Sequence, residues 1–273
     1  MQLGLNLPNF GPGTDPRVLR EGARRAEDLG LDLLMVSDHI VVTPDVAERY
    51  PEPFYEPFTT LSWLAGITTT MRLGTTVLVL PYRHPLLVAR MAANLHRLSG
   101  GRLVLGTGTG WARQEFEALG VPFTARGRLT NESLALLRHN RDAGHHDGDI
   151  PLWIGGNSEA ALRRAVEFGD AWHPLRLSLP HLRAALQRHP DLPGFAPRIA
   201  LRLTDTPATP EDPDRPPGTG TAEQILDDLD QLRLMGATTV VLDPYHGDPK
   251  ETHRPETAWR ALTTIATEWR ARS

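Results

Sequence analysis

Three short stretches of this chain combine residue types that could do chemistry. In the first, Asp38 and His39 form an acid–imidazole pair directly after an apolar run. An imidazole can donate or accept a proton near neutral pH, and a nearby carboxylate tunes that exchange. The pair therefore predicts a proton-handling site. The alternative is an ordinary polar loop start, in which Asp38 caps the segment that follows.

The second stretch, from Gly106 to Gly110, places three glycines on alternate positions after another apolar run. It is not a dinucleotide-binding fingerprint, because Trp111 takes the place of the last glycine, and no Gly-Lys-Ser/Thr follows as in a P-loop. Residues without a Cβ let a flat ring or another backbone lie close to a strand end. A simple turn is the alternative. Trp111 itself is a candidate wall of a substrate pocket.

The third stretch follows an apolar run that ends in Gly155 and Gly156. Asn157 or Ser158 can then cap a helix that begins at Glu159. Glycines at a helix N-terminus present free N–H groups and the positive end of the helix dipole to an anion. The stretch therefore predicts a phosphate-binding loop, with a plain capped helix as the alternative.

All three stretches lie just past β-like runs, of which the chain has eight. The runs are 3–7, 31–37, 72–80, 102–108, 151–156, 171–175, 198–204 and 238–243. Segments with helical periodicity separate them, over 15–29, 57–70, 85–98, 112–140, 157–168, 178–189, 221–235 and 255–271. This alternation predicts an α/β fold, a single (β/α)8 TIM barrel over residues 1–273, with its site at the C-terminal ends of the strands. A doubly wound open sheet is the rival fold.

Composition excludes several classes of function. The chain has no cysteine, so disulfides, thiolate catalysis and thiolate metal sites are absent. Its formal net charge of -4, without a basic run, gives no electrostatic footprint for nucleic acid or an anionic membrane. No signal sequence and no apolar stretch of roughly 20 residues stands out. We therefore expect a cytoplasmic protein.

Three remaining features qualify this interpretation. Lys250 is the only lysine and sits in a loop-like run, which makes a Schiff-base mechanism unpromising. His145 and His146 are adjacent rather than three or four residues apart, so we expect no metal site. The proline-rich segment 206–220 falls between the seventh run and the following helix, as a surface loop or as a lid over the site.

Several of these segments together resemble the luciferase-like flavin and deazaflavin oxidoreductases. They are SDH at 37–39, RLGTTVLVLPYRHP at 72–85, the block from Leu98 to Glu132 and WIGGNSEAALRRAVEFGDAWHP at 153–174. The resemblance covers most of residues 1–175 and continues loosely to the end. It implies a (β/α)8 barrel with a flavin or deazaflavin ring at the C-terminal mouth. The wording of the block is most similar to members that use coenzyme F420, an 8-hydroxy-5-deazaflavin.

The resemblance also implies roles for individual residues. His39 becomes the catalytic proton donor or acceptor, with Asp38 beside the ring. Thr76 and Val77 match a strand bulge with a cis peptide bond that backs the ring. The remaining implied cofactor contacts are Gly108, Thr109, Gly110 and Gln114 for the ring and tail, and Gly155, Gly156 and Ser158 for the phosphate.

The expected function is hydride transfer between F420 and a small organic substrate. The alternatives are a two-component monooxygenase that uses reduced FMN, and a non-catalytic flavin- or deazaflavin-binding protein. Sugar-phosphate dehydrogenases of this branch carry a glutamate where Trp111 stands, so that substrate class is not expected. The crossing from Arg141 to Pro151 is a shortened form of the insertion before strand five. The sequence itself does not define an oligomeric state; relatives are often dimers, so the resemblance is compatible with a homodimer.

Overall fold

A computed structural model describes residues 1–142, 149–208 and 215–272. Its strands are β1 Gln2–Asn6, β2 Leu33–Val36, β3 Arg72–Thr75, β4 Leu78–Val79, β5 Leu103–Gly108, β6 Leu152–Gly155, β7 Ala171–His173, β8 Arg198–Ala200, β9 Arg202–Leu203, β10 Thr219–Gly220 and β11 Thr239–Asp243. Its α-helices are α1 Pro16–Asp28, α2 Pro44–Ala47, α3 Pro57–Ala65, α4 Pro85–Leu98, α5 Arg113–Ala118, α6 Arg126–Asp142, α7 Glu159–Phe168, α8 Leu179–Arg188, α9 Ala222–Leu234 and α10 Pro255–Arg272. Short 3-10 helices cover Leu80–Tyr82, Phe123–Ala125 and Pro249–His253.

Eight parallel staves form a nearly closed barrel. Neighbouring strands follow the order β7, β6, β5, β3, β2, β1, β11 and β8. Strand β4 follows β3 at the same position in the barrel and pairs with β5. The remaining gap, between β7 and β8, is spanned by parallel bridges from Trp172 to Phe195 and from Leu175 to Arg198. The predicted (β/α)8 barrel is therefore confirmed, and the open doubly wound sheet is wrong.

Helix α1 shows how local sequence sets the bounds of an element. The Asp15 side chain accepts a hydrogen bond from the Val18 N–H at 2.8 Å. Pro16 occupies the first helical position, where no N–H is needed. After the helix, Gly30 has a φ of +64° and reverses the chain toward β2. The helix buries one stripe against the barrel, formed by Leu19, Gly22, Ala23 and Ala26.

The run 72–80, predicted as one strand, is interrupted. Strand β3 ends at Thr75 and β4 begins at Leu78, and the peptide bond between Thr76 and Val77 is cis. The resemblance implied this bond, and the structure confirms it. Strand β3 pairs with the beginning of β5, whereas β4 pairs with its end. The residues between them are thereby placed at the mouth of the barrel.

Two other predicted elements are also divided. The helical stretch 112–140 becomes α5, a 3-10 turn and α6, because Gly120 adopts a φ of +68° and Pro122 follows it. The run 198–204 becomes β8 and β9, and β9 leaves the barrel to pair with β10. Residues 143–148, which include His145, His146 and most of the shortened insertion, lie outside the described residues, as do 209–214 of the proposed lid.

None of the helices in the described part of the chain combines the length and the apolar character that crossing a bilayer would need.

Strand β5 packs against the end of β3 so closely that it has no room for a side chain at Gly106. A Cβ built there would lie 2.0 Å from the carbonyl oxygen of Thr75. The Thr75 hydroxyl in turn donates to the Gly106 carbonyl at 2.6 Å. This glycine therefore sets the spacing between the adjacent strands β3 and β5 beneath the mouth of the barrel.

We expect Gly106→Ala to lower the free energy of unfolding by about 2–3 kcal/mol, because the backbone of β3 must move to admit a methyl group. The matched control is Gly66→Ala, where a Cβ meets only ordinary contact, 3.6 Å from the Trp63 carbonyl oxygen. In that variant the free energy of unfolding should stay unchanged or rise by less than about 1 kcal/mol. Urea unfolding measures both variants, and equal values for the two would contradict the close packing.

Candidate active site

The C-terminal mouth of the barrel holds a cavity of about 260 Å³. Ten of the residues predicted for the site line it, namely Asp38, His39, Thr76, Val77, Gly108, Thr109, Gly110, Trp111, Gly155 and Gly156. Its wall also contains Ser37, Tyr50, Val79, Asn157, His173, Leu175 and Arg198. Gln114 and Ser158 are not among the lining residues. The structure thus brings most of the predicted site together, and the roles of these residues stay predictions.

His39 is held from behind by a buried carboxylate. The Nδ1 atom of His39 lies 2.6 Å from Glu115 Oε2, and the Tyr82 hydroxyl donates to the same oxygen at 2.8 Å. The other carboxylate oxygen accepts the backbone N–H groups of Ile40 at 2.6 Å and Val41 at 3.1 Å. The Glu115 side chain has 0% exposure. Four donors therefore converge on one carboxylate beneath the cavity.

This arrangement fixes the tautomer of His39. Burial opposes the charge of Glu115, but the hydrogen bond and charge of His39 together with the backbone donors keep the pKa of that carboxyl below its usual range. An ionised carboxylate only accepts, so Nδ1 carries a proton. Nε2 has no hydrogen-bond partner among the residues that the structure describes. A ring nitrogen is thus left for a ligand in the cavity.

Sequence reasoning missed Glu115. It considered only the position of Trp111 for an acid in this region, whereas the acid comes four residues later, from helix α5. A signal was present, since Glu115 lies between Ala112 and Leu119 on the face of the helix that also carries Phe116. An acid at an apolar position of a short helix indicates a buried polar contact.

Asp38 forms its hydrogen bonds and its ion pair with other protein groups. Its carboxylate accepts from Arg83 Nη1 at 2.7 Å and Nη2 at 2.8 Å, and from the backbone N–H of Val79 at 2.8 Å. Arg83 also donates to Glu56 at 2.9 Å. Asp38 therefore anchors β4 and the turn after it. A direct contact of Asp38 with a ring stays a prediction.

The side chain of Val77 packs between two glycines at strand ends, Gly108 of β5 and Gly155 of β6. A Cβ at Gly108 would lie 2.5 Å from Val77 Cγ2, and one at Gly155 would lie 2.6 Å from Val77 Cγ1. At Gly110, with a φ of +76°, a Cβ would meet Val79 and Phe116. The missing side chains of these glycines thus make room for neighbouring protein atoms; all three glycines also line the cavity, and their contacts with a cofactor stay predictions.

Thr76 is fixed by a chain of hydrogen bonds across the mouth. Arg198 Nη1 donates to the Thr76 carbonyl at 2.9 Å and approaches its hydroxyl at 3.2 Å. That hydroxyl lies 2.9 Å from His173 Nε2, while His173 Nδ1 contacts the Ala196 carbonyl. Burial and the charge of Arg198 lower the pKa of His173 to about 4, so the ring is neutral at neutral pH. Its Nδ1–H donates to Ala196, and Nε2 accepts from Thr76.

The predicted phosphate loop lies at the start of α7. Gly156 has a φ of +119°, and its carbonyl accepts from Trp172 Nε1 at 2.8 Å. Asn157 exchanges two hydrogen bonds with the backbone of Leu175, at 2.8 and 2.9 Å. The Ser158 hydroxyl caps the helix by accepting the Ala161 N–H. The loop is thus rigidly held.

Two predicted residues lie at or beyond the rim. Trp111 is 44% exposed, and its ring meets that of His39 edge-on at a centroid distance of 5.7 Å. The guanidinium of Arg49 lies 5.5 Å from the Trp111 ring. Gln114 is exposed on α5, where its backbone N–H donates to Asp45. Trp111 therefore borders the cavity beside His39, whereas Gln114 does not border it.

Among the described residues, no group of three His, Cys, Asp or Glu side chains is placed to hold a metal ion.

Comparison with known proteins identifies the family of this barrel. The sequence profile of the luciferase-like monooxygenases matches residues 1–190. The chain belongs to the luciferase-like monooxygenase family.

Two curated relatives come from Mycobacterium tuberculosis. An uncharacterised protein is 31% identical over 180 residues, which cover 55% of this chain and 62% of the relative. A phthiodiolone/phenolphthiodiolone dimycocerosates ketoreductase is 29% identical over 197 residues, which cover 59% of this chain and 51% of the relative. The matches thus span 51% to 62% of the length of these relatives.

Solved structures share the fold over almost the whole chain. A coenzyme F420-dependent tetrahydromethanopterin reductase from Methanopyrus kandleri superposes with a TM-score of 0.76 and 16% identity, covering 99% of each chain. The oxygenating constituent of 3,6-diketocamphane monooxygenase from Pseudomonas putida, solved with FMN, gives a TM-score of 0.71 and 17% identity, covering 98% of this chain and 97% of that one. At such identities the likeness shows the fold alone.

We expect Glu115→Gln to lower the free energy of unfolding by about 1–3 kcal/mol at neutral pH, since its four donors lose an ionised acceptor. Because the pKa of Glu115 is lowered in the folded protein, the advantage of the native residue is complete above the ordinary value of 4.5 and declines as the pH falls through the folded pKa. Urea unfolding at neutral pH and at about pH 3 tests this, with the exposed Glu117→Gln as control. A difference that grows on acidification would contradict it.

Proposed function

We propose that this protein is an oxidoreductase that transfers a hydride between a deazaflavin, coenzyme F420, and a small organic substrate. The observation that carries the proposal is His39 at the cavity, with one nitrogen held by the buried Glu115 carboxylate and the other without a partner among the described residues. Such an arrangement suits a group that gives a proton to a substrate or takes one from it.

The residues around the cavity fit a flat ring with a phosphate tail. Val77 presents an apolar side chain at the cavity, held between Gly108 and Gly155. Ser37 lines the same space, and its buried hydroxyl has no partner among the described residues. The loop from Gly155 to Ser158 offers backbone N–H groups at the start of α7 to a phosphate. These residues would hold the cofactor.

The deazaflavin, when bound, supplies the hydride chemistry, and the protein supplies binding, orientation and the proton. His39 provides or removes the proton at Nε2, while Glu115 stabilises the cationic form of the ring during that exchange. Trp111 borders the cavity beside His39 and limits access of water from that side. Arg198 and His173 hold Thr76, and with it the segment that carries Val77.

A two-component monooxygenase that uses reduced FMN is the second candidate. The family description and the likeness to the FMN-bound oxygenating constituent favour it. The named activities of the ketoreductase and of the F420-dependent reductase support the first. A flavin- or deazaflavin-binding protein without catalysis remains the third interpretation, and it predicts binding without turnover of any substrate.

Cofactor binding is the first test of these alternatives. Fluorescence quenching should show tight binding of oxidised F420 and weaker binding of FMN. Gly156→Asp should weaken F420 binding by about a hundredfold, because it sets a like charge against the phosphate at a position with left-handed φ. Gly120→Asp is the matched control, since Gly120 is also left-handed but has open space around it. Tighter binding of FMN than of F420 would contradict the deazaflavin proposal and support the monooxygenase. If neither cofactor binds, oxidised or reduced, both proposals are contradicted.

His39→Ala should reduce turnover at least about tenfold, because it removes the proton-handling group, and should leave the Kd of the cofactor nearly unchanged. Steady-state kinetics across a panel of reducible carbonyl compounds, with cofactor titration alongside, measures both quantities. His253→Ala, at an exposed position, is the control. Unchanged turnover in the His39 variant would remove this residue from the mechanism.

A further inference from the structure

A second charged cluster lies at the mouth, on β7, β8 and β11. Arg176 follows β7, Arg198 begins β8 and Asp243 ends β11. The Oδ2 atom of Asp243 accepts from Arg176 Nη2 at 2.6 Å and from Arg198 Nη2 at 2.8 Å. The Asp243 carboxylate has 0% exposure, and the Arg198 side chain has 4%. Two arginines therefore share one buried acid.

This cluster carries a net positive charge. Burial opposes ionisation of Asp243, but the two guanidinium groups outweigh it and lower the pKa of that carboxyl. Burial likewise opposes the charge of Arg198, and Asp243 outweighs it and raises the pKa of that guanidinium. Within the described residues, neither arginine forms an ion pair with any other carboxylate. One positive charge is thus left without a counter-ion at the mouth.

The excess charge belongs to Arg176 rather than to Arg198. Arg198 uses Nε and Nη2 on Asp243 and Nη1 on Thr76. Arg176 uses only Nη2, and its Nε is buried without a partner among the described residues. Arg176 therefore retains donor groups that no described residue uses.

Arg176 lies next to the cavity, although it is not among the lining residues. Its neighbour Leu175 and its partner Arg198 both line the cavity, and the Arg176 side chain is 28% exposed. Its backbone adopts a φ of +52°, in the left-handed region that few residues other than glycine enter. Its guanidinium packs against Gly247, where an added Cβ would lie only 2.4 Å from the Nη1 atom of Arg176. The loop after β11 therefore leaves space for this side chain.

We propose that Arg176 forms a subsite for an oxyanion beside the cavity, and that the substrate of this enzyme carries a carboxylate that binds there. A guanidinium donates two parallel hydrogen bonds to a planar carboxylate and retains its charge when partly buried. The identification of the ligand as a substrate rests on the proposed function. A phosphate of the cofactor offers the same chemistry from another source.

Calorimetric titration of the full chain with benzoate tests the subsite, with benzamide as the neutral probe of similar shape. We expect benzoate to bind the native protein and benzamide to bind far more weakly. Arg176→Gln should weaken benzoate binding at least about tenfold, and Arg176→Lys should restore part of it. Arg260→Gln, at an exposed position on α10, is the matched control. Thermal unfolding verifies that each variant is folded.

The second arm measures the affinity of Arg176→Gln for F420. An unchanged Kd supports a substrate subsite. A Kd raised about tenfold, together with competition between benzoate and F420, would assign the oxyanion to the cofactor and overturn the proposal. Equal benzoate binding by native protein and variant, or none by the native protein, would also overturn it. If F420 fails to bind, the proposed function is contradicted, while the benzoate titration of the cofactor-free protein still decides the subsite.

Discussion

The mouth of this barrel is organised around one buried, ionised carboxylate. Removing Glu115 from water is costly unless donors replace the lost hydration. Those donors come from two separate segments, namely His39 with the backbone of Ile40 and Val41 after β2, and Tyr82 in the turn after β4, while Glu115 itself comes from a third segment, α5. Satisfying the charge therefore requires these segments to meet at one point. The same requirement fixes the orientation of His39, so the stability of the mouth and the orientation of the imidazole have one physical cause.

The far wall is built on a different electrostatic principle. Asp243 is ionised between two arginines, and Arg198 extends its donors to Thr76, which in turn engages a neutral His173. These buried polar groups are linked in a chain of hydrogen bonds, in which each group satisfies its neighbour. The segment around Val77 is thus held by side chains from strands far away in sequence. Arg176 Nε is an exception, since it is buried without a partner among the described residues.

The sequence predicted the barrel because periodicity and chain-reversing glycines are local signals. Helix α1 and strand β2 follow directly from such a pattern. The interruption of run 72–80 was invisible to periodicity, since apolar residues continue through it, and only the resemblance implied it. Glu115 was missed because its partner lies 76 residues away. The glycines of β5 were assigned to the site, and the structure adds a steric reason for Gly106 and Gly108, which leave room for Thr75 and Val77. Whether a glycine faces a ligand or a neighbouring strand depends on register, which composition does not contain.

Of the ionisable side chains that line the cavity, most are committed to other partners. Asp38 is paired with Arg83, Arg198 is paired with Asp243, and His173 is neutral with both ring nitrogens hydrogen-bonded. Protonating Asp38 or His173 would break an ion pair or a hydrogen bond on which the mouth depends. His39 differs, because its link to Glu115 involves one nitrogen only and is strengthened when the ring becomes cationic. A proton can therefore enter or leave at His39 without breaking these contacts, which supports the proposed role of this residue as the proton donor or acceptor.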